Sequence, residues 1–395
     1  MNIESSPFRP GQLIPFEFFV GRTEQIRYLR DMVRASAKGR FQIGFISGER
    51  GIGKSSIAHF VKYISETELN VVGSHVFLGG IEQLSEMVRR LSNQLLKDSI
   101  EKSWHEQILD FFGHKVRKVG AFGVSVELSF DDKEFFTLIE HFPTALQNLL
   151  SKITADKAGL LLILDDINGL ATSSTFANWL KSTVDEISTL RQPFPLCILV
   201  VGLEQRRQEL LEAQPSLDRV FRLIDIPVWS DEETMQFYNS AFASVNAKVE
   251  NEGLETLVQF TGGLPVLAHE IGDAVWREAK HLEISFKEVN SGVVNAADIV
   301  GQRLLEPQVF SAIRNEKYRS MLRKLAGQPH APLSFHRKEL KELLTDSETK
   351  ALDHFLRRMR KLGVIVNTQN KGEYQFQNHL HALYFYIESL RAKDK

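Results

Sequence analysis

The sequence is poor in cysteine, has no long hydrophobic run and shows no excess of either charge. Its single cysteine, Cys197, cannot form a disulfide within the chain, so we expect a reducing compartment, the cytoplasm. The longest apolar run, residues 158–164, is much shorter than the ~20 residues that span a bilayer. The first six residues have neither the basic nor the apolar region of a secretory signal. These absences argue against a secreted or membrane-spanning protein.

The composition that remains is typical of a globular protein. Of the 395 residues, 43% are hydrophobic and 25% are charged, which is enough to form a core. The length predicts two or three domains. The 48 basic and 50 acidic residues nearly cancel to a net charge of -2, which argues against a uniformly basic nucleic-acid-binding surface. That balance leaves room for a local basic patch.

Short apolar segments alternate with amphipathic ones along the first half of the chain. Buried strands are predicted at residues 41–47, 160–164, 196–201 and 223–226. Helices are predicted at residues 23–33, 54–65 and 81–96. Such alternation indicates an α/β fold class with a buried parallel sheet. A small β-hairpin is predicted near residues 115–130, and after Pro227 the pattern becomes mainly helical.

The strongest motif is the segment G-E-R-G-I-G-K-S at residues 48–55, which matches G-x-x-x-x-G-K-[ST] in full. Glycines allow a tight bend whose backbone N–H groups surround an anion, and the following helix adds its positive end. A chance match in a chain of this length has a probability of roughly 1–2%. The cofactor-binding residues predicted here are Gly48, Gly51, Ile52, Gly53, Lys54, Ser55 and Ser56.

Two carboxylates follow the apolar strand at residues 160–164. Lys54 is predicted to reach the β- and γ-phosphates of ATP, while Ser55 and Asp165 hold Mg²⁺. Asp166 is predicted to lie near the γ-phosphate and polarise the attacking water. Burying two acids at a strand end is costly, and a metal ion offsets that cost. The predicted cofactors are therefore ATP and Mg²⁺.

Two further segments resemble the AAA+ and STAND (signal-transduction ATPase with numerous domains) P-loop ATPases. F-V-G-R-T-E at residues 19–24 is similar to their F-V-G-R-x-x-E box, which implies that Val20, Gly21 and Arg22 border the adenine pocket. G-G-L-P at residues 262–265 resembles the G-x-P element of the STAND helical lid, which implies that Pro265 meets the nucleotide. The resemblance covers residues 12–305 and is specific to the superfamily.

The same resemblance suggests a shared active site. Residues 217–222 are similar to a segment of transposition-helper and origin-recognition ATPases in which an arginine acts on a neighbour's nucleotide. Arg219 is the first candidate and Arg222 the second, and an ordinary surface arginine is the equal alternative. A homo-oligomer in the ATP state is implied. Residues 196–203 resemble the sensor-1 strand, but only Glu204 offers a polar group, so that role stays open.

The C-terminal order of three helices and a hairpin resembles the winged helix of origin-recognition ATPases. Residues 314–361 contain 13 Lys or Arg against six Asp or Glu, a net +7, which leaves -9 for the rest of the chain. The cations that lie off the apolar face of the third helix or at the wing tip are Arg357, Arg358, Arg360, Lys361 and Lys371. This positive charge has three possible interpretations: it binds double-stranded DNA, it docks a protein partner, or it is only a solvated face.

The prediction is therefore a P-loop ATPase core at residues 1–228, including the hairpin near 115–130, a helical lid at 229–308 and a winged helix at 309–395. Its nucleotide state would control DNA binding or assembly. Since Asp166 stands where these families usually have Glu, hydrolysis is expected to be slow. The alternative is a nucleotide switch that docks a protein partner in defence or signalling. A metabolic kinase is disfavoured, because no acceptor-substrate site is recognisable. The pair His379 and His381 reads as ordinary helix-start residues, not a metal site.

Overall fold

The computed structural model describes residues 5–12, 19–100, 102–119, 125–129, 131–303, 313, 315–327, 334–368, 370–377 and 379–391. The chain divides into two compact units. One is Arg22–Pro227, called the sheet unit below, and the other combines Met1–Gly21 with Val228–Lys395 and is called the helical unit. None of the helices within the described ranges is both long and apolar enough to cross a bilayer.

The sheet unit is built from alternating strands and helices. Its strands are β1 (Gln42–Ser47), β2 (Val71–Phe77), β3 (Val116–Val119), β4 (Ser125–Leu128), β5 (Gly159–Asp165), β6 (Leu196–Val201) and β7 (Arg222–Asp225). Its helices are α1 (Thr23–Ala37), α2 (Lys54–Glu68), α3 (Leu84–Ser99), α4 (His105–Phe112), α5 (Asp132–Glu140), α6 (Phe142–Ile153), α7 (Ser174–Thr189) and α8 (Glu204–Ala213).

Five strands form one parallel sheet in the order β2-β5-β6-β1-β7. Every residue of β5 and of β6 is buried, which explains why both strands are continuous apolar runs rather than alternating ones. Because all five strands are parallel, their carboxyl ends lie at one edge of the sheet. The segments that follow β1, β5 and β6 therefore meet there. The predicted α/β fold class is confirmed.

The predicted hairpin region contains two antiparallel strands. Strands β3 and β4 pair in a register that sets Val116 opposite Leu128. The connection between them, residues 120–124, lies outside the described residues. Leu128 packs into the same apolar core as the helices α3, α4 and α6.

The helical unit begins its regular structure after Pro227. Its helices are α9 (Asp231–Ala243), α10 (Asn251–Thr261), α11 (Pro265–Glu278), α12 (Phe286–Val300), α13 (Glu316–Ala326), α14 (Arg337–Glu342), α15 (Asp346–Thr349), α16 (Leu352–Lys361) and α17 (His379–Arg391). Its strands are β8 (Lys248–Val249), β9 (Glu283–Ile284), β10 (Ser334–His336), β11 (Ile365–Asn367) and β12 (Glu373–Phe376). A helical C-terminal region is thus present, as predicted.

Near the C-terminus the structure adds a strand that the sequence did not predict. Strand β10 pairs antiparallel with β12, which also pairs with β11, so the expected two-stranded hairpin is part of a three-stranded sheet. Only Phe335 of the three residues of β10 is buried, so no alternating pattern marks it. The apolar faces of α13 and α16 share one core with this sheet, through residues such as Leu322, Phe355 and Phe376.

Candidate functional site

The loop between β1 and α2 has the backbone that its glycines predict. Gly48, Gly51 and Gly53 have φ values of 150°, 79° and 90°. A Cβ on Gly48 would lie 3.0 Å from the carbonyl oxygen of Ile226. Helix α2 begins directly after Gly53, which offers no side-chain acceptor to the first turn. The N–H groups of that turn are therefore placed to bind an anion.

Lys54 is held over this loop. Its Nζ donates hydrogen bonds to the carbonyl oxygens of Gly48, at 3.0 Å, and Glu49, at 2.6 Å. Burial lowers the pKa of Lys54 to about 8, against the opposing charges of Asp165 and Asp166. The two acids predicted to act with Lys54 are thus close enough to influence it. The ammonium now donates to carbonyl oxygens, and a bound phosphate would be a stronger acceptor than they are.

Asp165 is the last residue of β5 and is 1% exposed. Its Oδ2 accepts a hydrogen bond of 2.8 Å from Nε2 of His75, which lies on the neighbouring strand β2. His75 was not among the site residues predicted from the sequence, although a lone histidine within the apolar segment 71–77 was a signal. The carboxylate is therefore buried with one oxygen already occupied.

Asp166 follows with a left-handed backbone, at φ 57°. Its Oδ1 accepts a hydrogen bond from Nδ2 of Asn168. A Cβ on Gly79 would lie 2.7 Å from Oδ2 of Asp166, so this carboxylate packs against the chain that follows β2. Short polar side chains tolerate the left-handed region better than larger ones, which fits an aspartate here.

Ser55 and Asp165 offer a hydroxyl and a carboxylate, and both are the hard oxygen ligands that Mg²⁺ prefers. Ser55 is half-buried in the first turn of α2, while Ser56 and Ile52 are buried. Mg²⁺ at such sites usually takes few protein ligands and completes its shell with water and phosphate oxygens. The residues present therefore fit a nucleotide-bound Mg²⁺.

Glu204 is engaged within the protein. It begins α8, and its Oε2 accepts a hydrogen bond of 2.7 Å from Oγ of Ser47, the last residue of β1. The hydrogen bond from Arg207 lowers the pKa of Glu204 to about 2. Arg207 also reaches Asp218 at 3.4 Å. Glu204 thus links the strand before the phosphate loop to α8. Neither Ser47 nor Arg207 was among the site residues predicted from the sequence.

Of the predicted adenine-pocket residues, Arg22 belongs to the sheet unit. It is 6% exposed and has a left-handed backbone at φ 58°. Its Nη2 donates to the carbonyl oxygen of Pro227 at 3.4 Å, and its charge contributes to the lowered pKa of Lys54. Arg22 is therefore close to the phosphate-loop lysine.

Val20, Gly21 and Pro265 belong to the helical unit, so their contact with a nucleotide stays a prediction. Val20 is buried, and Gly21 has a φ of 68°, in the left-handed region that favours glycine. Pro265 is buried as the first residue of α11 and follows Gly262 and Gly263, which have φ values of 55° and 70°. Its fixed φ suits a first helical position.

The two candidate arginines differ in their contacts. Arg222 is exposed, and its Nη1 donates to the hydroxyl of Tyr28 at 3.3 Å. Arg219 is exposed at the end of the short 3-10 helix Pro215–Arg219. Its guanidinium makes no hydrogen bond or ion pair with the residues that the structure describes. Of the two arginines, Arg219 is therefore the one whose charge has no partner within the described part of the chain.

The cations of α16 separate into two groups. Arg357, Arg358 and Lys361 line a cleft of about 370 Å³ with residues that include Tyr318, and the described part of its lining contains no acid. Arg360 instead reaches Asn367 on β11 at 3.4 Å. The cleft therefore gathers three of the four predicted cations.

Lys371 and the two C-terminal histidines complete the predicted positions. Lys371 is exposed in the turn before β12. Burial lowers the pKa of His381 to about 4 and also lowers the pKa of His379. No group of three or more potential metal ligands of the His, Cys, Asp or Glu type occurs among the described residues.

Known proteins resemble this chain in both sequence and fold. Residues 19–201 match a family model described as the AAA ATPase domain. An uncharacterized HTH-type transcriptional regulator of Methanocaldococcus jannaschii is 21% identical over 229 residues, which are 55% of this chain and 52% of that protein. The match thus spans about half the length of that relative.

Two solved structures cover nearly the whole chain. The ORC2 protein of Aeropyrum pernix, in ADPNP–ADP complexes, is 15% identical with a TM-score of 0.60 over 98% of this chain and 99% of that one. The Walker-type ATPase of Pyrococcus abyssi is also 15% identical, with a TM-score of 0.55 over 95% and 99%. At this identity the likeness is one of fold. The chain has the fold of a P-loop ATPase, with a parallel sheet core and a helical C-terminal region.

Proposed function

We propose that this protein binds ATP with Mg²⁺, hydrolyses it slowly, and uses the bound nucleotide to control double-stranded DNA binding through a winged helix. The observation that carries the nucleotide part is the phosphate loop. There the half-buried Lys54 feels the charges of Asp165 and Asp166, and three glycines give the loop its phosphate-binding backbone. When bound, Mg²⁺ would neutralise phosphate charge between Ser55 and Asp165. The ADPNP–ADP complexes of the Aeropyrum pernix protein support nucleotide binding by this fold.

The residues of the loop have separate roles in this proposal. The backbone N–H groups and Lys54 bind the phosphates, and Asp166 orients and polarises the water that attacks the γ-phosphate. The water gives a proton towards Asp166 as the bond to the leaving ADP breaks. An aspartate reaches less far than a glutamate, so the water is held less well and turnover is slow.

The DNA part of the proposal rests on α16. In a winged helix the third helix reads the major groove, and here α16 presents Arg357, Arg358 and Lys361 around a cleft without described acids. Strands β11 and β12 form the wing, whose turn carries the exposed Lys371. The likeness to an HTH-type transcriptional regulator supports DNA as the ligand.

A DNA titration tests this function. We expect the affinity for duplex DNA to differ between the protein with ATPγS–Mg²⁺ and the protein with ADP–Mg²⁺. Affinity should fall steeply with the logarithm of the salt concentration, because several phosphates are contacted. Equal affinity in both nucleotide states would refute nucleotide control. No duplex binding at low salt would instead favour the second function, a switch that docks a protein partner through the same cleft.

Oligomerisation is the remaining part of the proposal. The guanidinium of Arg219, which has no partner in the described ranges, would complete the ATP site of a neighbouring copy, so ATP should favour a homo-oligomer. Sedimentation velocity with ATPγS tests this, and Arg219→Ala should lower both the oligomer fraction and ATP turnover. Arg222→Ala is the matched control, because Arg222 is bound to Tyr28 within the chain. A wild-type protein that stays monomeric with ATPγS would contradict the shared site.

A further inference from the structure

His75 stands out because it is a buried polar residue in an apolar strand. The residue is 5% exposed, and its ring stacks on the ring of Phe77 with the two centroids 4.4 Å apart. Its backbone lies opposite Ile163 on β5, so Asp165 is the diagonal neighbour on the same face of the sheet. This placement allows the ring to reach the carboxylate at the end of the adjacent strand.

The hydrogen bond has a defined direction. A carboxylate only accepts, so Nε2 of His75 carries the hydrogen that is shared with Oδ2 of Asp165. The other ring nitrogen, Nδ1, is buried and has no hydrogen-bond partner among the described residues. A lone pair at Nδ1 is therefore better accommodated than a second buried N–H would be. The ring acts as a single donor aimed at Asp165.

This donor constrains the acid. With Oδ2 held by His75, rotation of the Asp165 carboxylate would break a buried hydrogen bond, so the orientation of Oδ1 is set as well. Residues that hydrogen-bond to a metal-binding carboxylate or imidazole orient that ligand, and their loss usually lowers the metal affinity. Phe77 on one side, and His59 with its ring centroid 5.9 Å away, keep the imidazole in place.

We propose that His75 is a positioning residue that presents Asp165 to the Mg²⁺ of the bound nucleotide. The inference rests on the proposed function, since it requires a nucleotide–Mg²⁺ complex at this loop. It assigns to β2 a part in metal binding, and it predicts that the hydrogen bond, and not the bulk of the ring, is what matters.

The test compares donors with non-donors at position 75. His75→Gln keeps an amide N–H of similar reach, whereas His75→Leu has similar volume and no donor. The readout is the Mg²⁺ concentration that gives half-maximal binding of a fluorescent ATP analogue, with affinity in EDTA as the metal-free reference. We expect His75→Leu to raise that concentration about 10- to 100-fold. His75→Gln should stay within a few-fold of wild type, and EDTA affinity should not change.

Two further variants keep the test decisive. His141→Leu makes the same substitution at an exposed histidine between α5 and α6, so its Mg²⁺ dependence should equal that of wild type. His75→Met, which also has no hydrogen-bond donor, replaces the leucine variant if circular dichroism shows that variant to be unfolded. An unchanged Mg²⁺ dependence in the folded non-donor variant would overturn the inference alone. Failure of the wild-type protein to bind nucleotide would instead overturn the proposed function.

Discussion

The acids at the edge of the parallel sheet and the cations of α16 differ in the sign of their charge and in their surroundings. The acids are bonded to particular partners, whereas most of the cations are exposed to solvent. Asp165 is buried against His75, and Glu204 is bonded to Ser47 and Arg207. Arg357 and Lys361 are exposed around an open cleft. A buried charge must be stabilised by particular partners, so a single substitution at the charge or at one partner should have a large effect on activity or stability. Exposed cations act through their sum, so only a combined change should have a large effect.

The largest expected effect is at Asp166. Asp166→Asn keeps a side chain that tolerates the left-handed backbone, so folding and ATP affinity should be preserved while the base is lost. We expect the kcat of ATP hydrolysis to fall by about 10²- to 10⁴-fold, measured as phosphate release. Asp185→Asn, on the exposed face of α7, is the control. Undiminished hydrolysis by Asp166→Asn would remove this residue from the mechanism.

At α16, by contrast, several cations must be changed at once to weaken duplex binding strongly. The combined variant Arg357→Glu, Arg358→Glu and Lys361→Glu should weaken duplex binding by about 100-fold and lower the salt slope by about three, while ATP affinity is unchanged. Fluorescence anisotropy across a salt series measures both quantities. The control reverses three exposed cations at α1, namely Arg27, Arg34 and Lys38. Equal losses in both variants would mean that general charge, and not the α16 cleft, attracts DNA.

A smaller effect is expected at Glu348, a buried acid of the C-terminal region that is 5% exposed. Burial would raise the pKa of Glu348, but hydrogen bonds from Lys324, Thr345 and Ser320 outweigh it and lower that pKa to about 2. Since the folded-state pKa lies below the ordinary value, this stabilisation is complete at neutral pH. It is lost as the pH falls from about 5 towards 2.

Glu348→Gln should therefore lower the free energy of unfolding by about 2 kcal/mol at pH 7. The difference from wild type should shrink steadily in acid. Urea unfolding at pH 7 and pH 4 measures it, and Glu342→Gln, which is exposed on the same region, is the control. A difference that grows in acid would contradict the account of Glu348.

The contrast also explains what the sequence could predict. The phosphate loop was found because its chemistry demands glycine, lysine and serine at fixed spacing, and the strands β5 and β6 because burial on both faces demands continuous apolar runs. His75 and Ser47 were missed because their partners, Asp165 and Glu204, lie 90 and 157 residues further along the chain, and no local sequence pattern marks such a pair. Strand β10 was missed because three residues with one buried side chain carry no periodicity.

The central claim, a nucleotide site at the phosphate loop, is tested most directly by equilibrium binding of ATP–Mg²⁺ to the full chain and to Lys54→Ala. Loss of the ammonium should weaken binding about 100-fold at pH 7, as expected for a charge-assisted hydrogen bond worth roughly 3 kcal/mol. Because the pKa of Lys54 is lowered to about 8, wild-type affinity should fall roughly tenfold by pH 9, and the variant should show no such loss. Equal affinity of the two proteins at pH 7 would contradict the account.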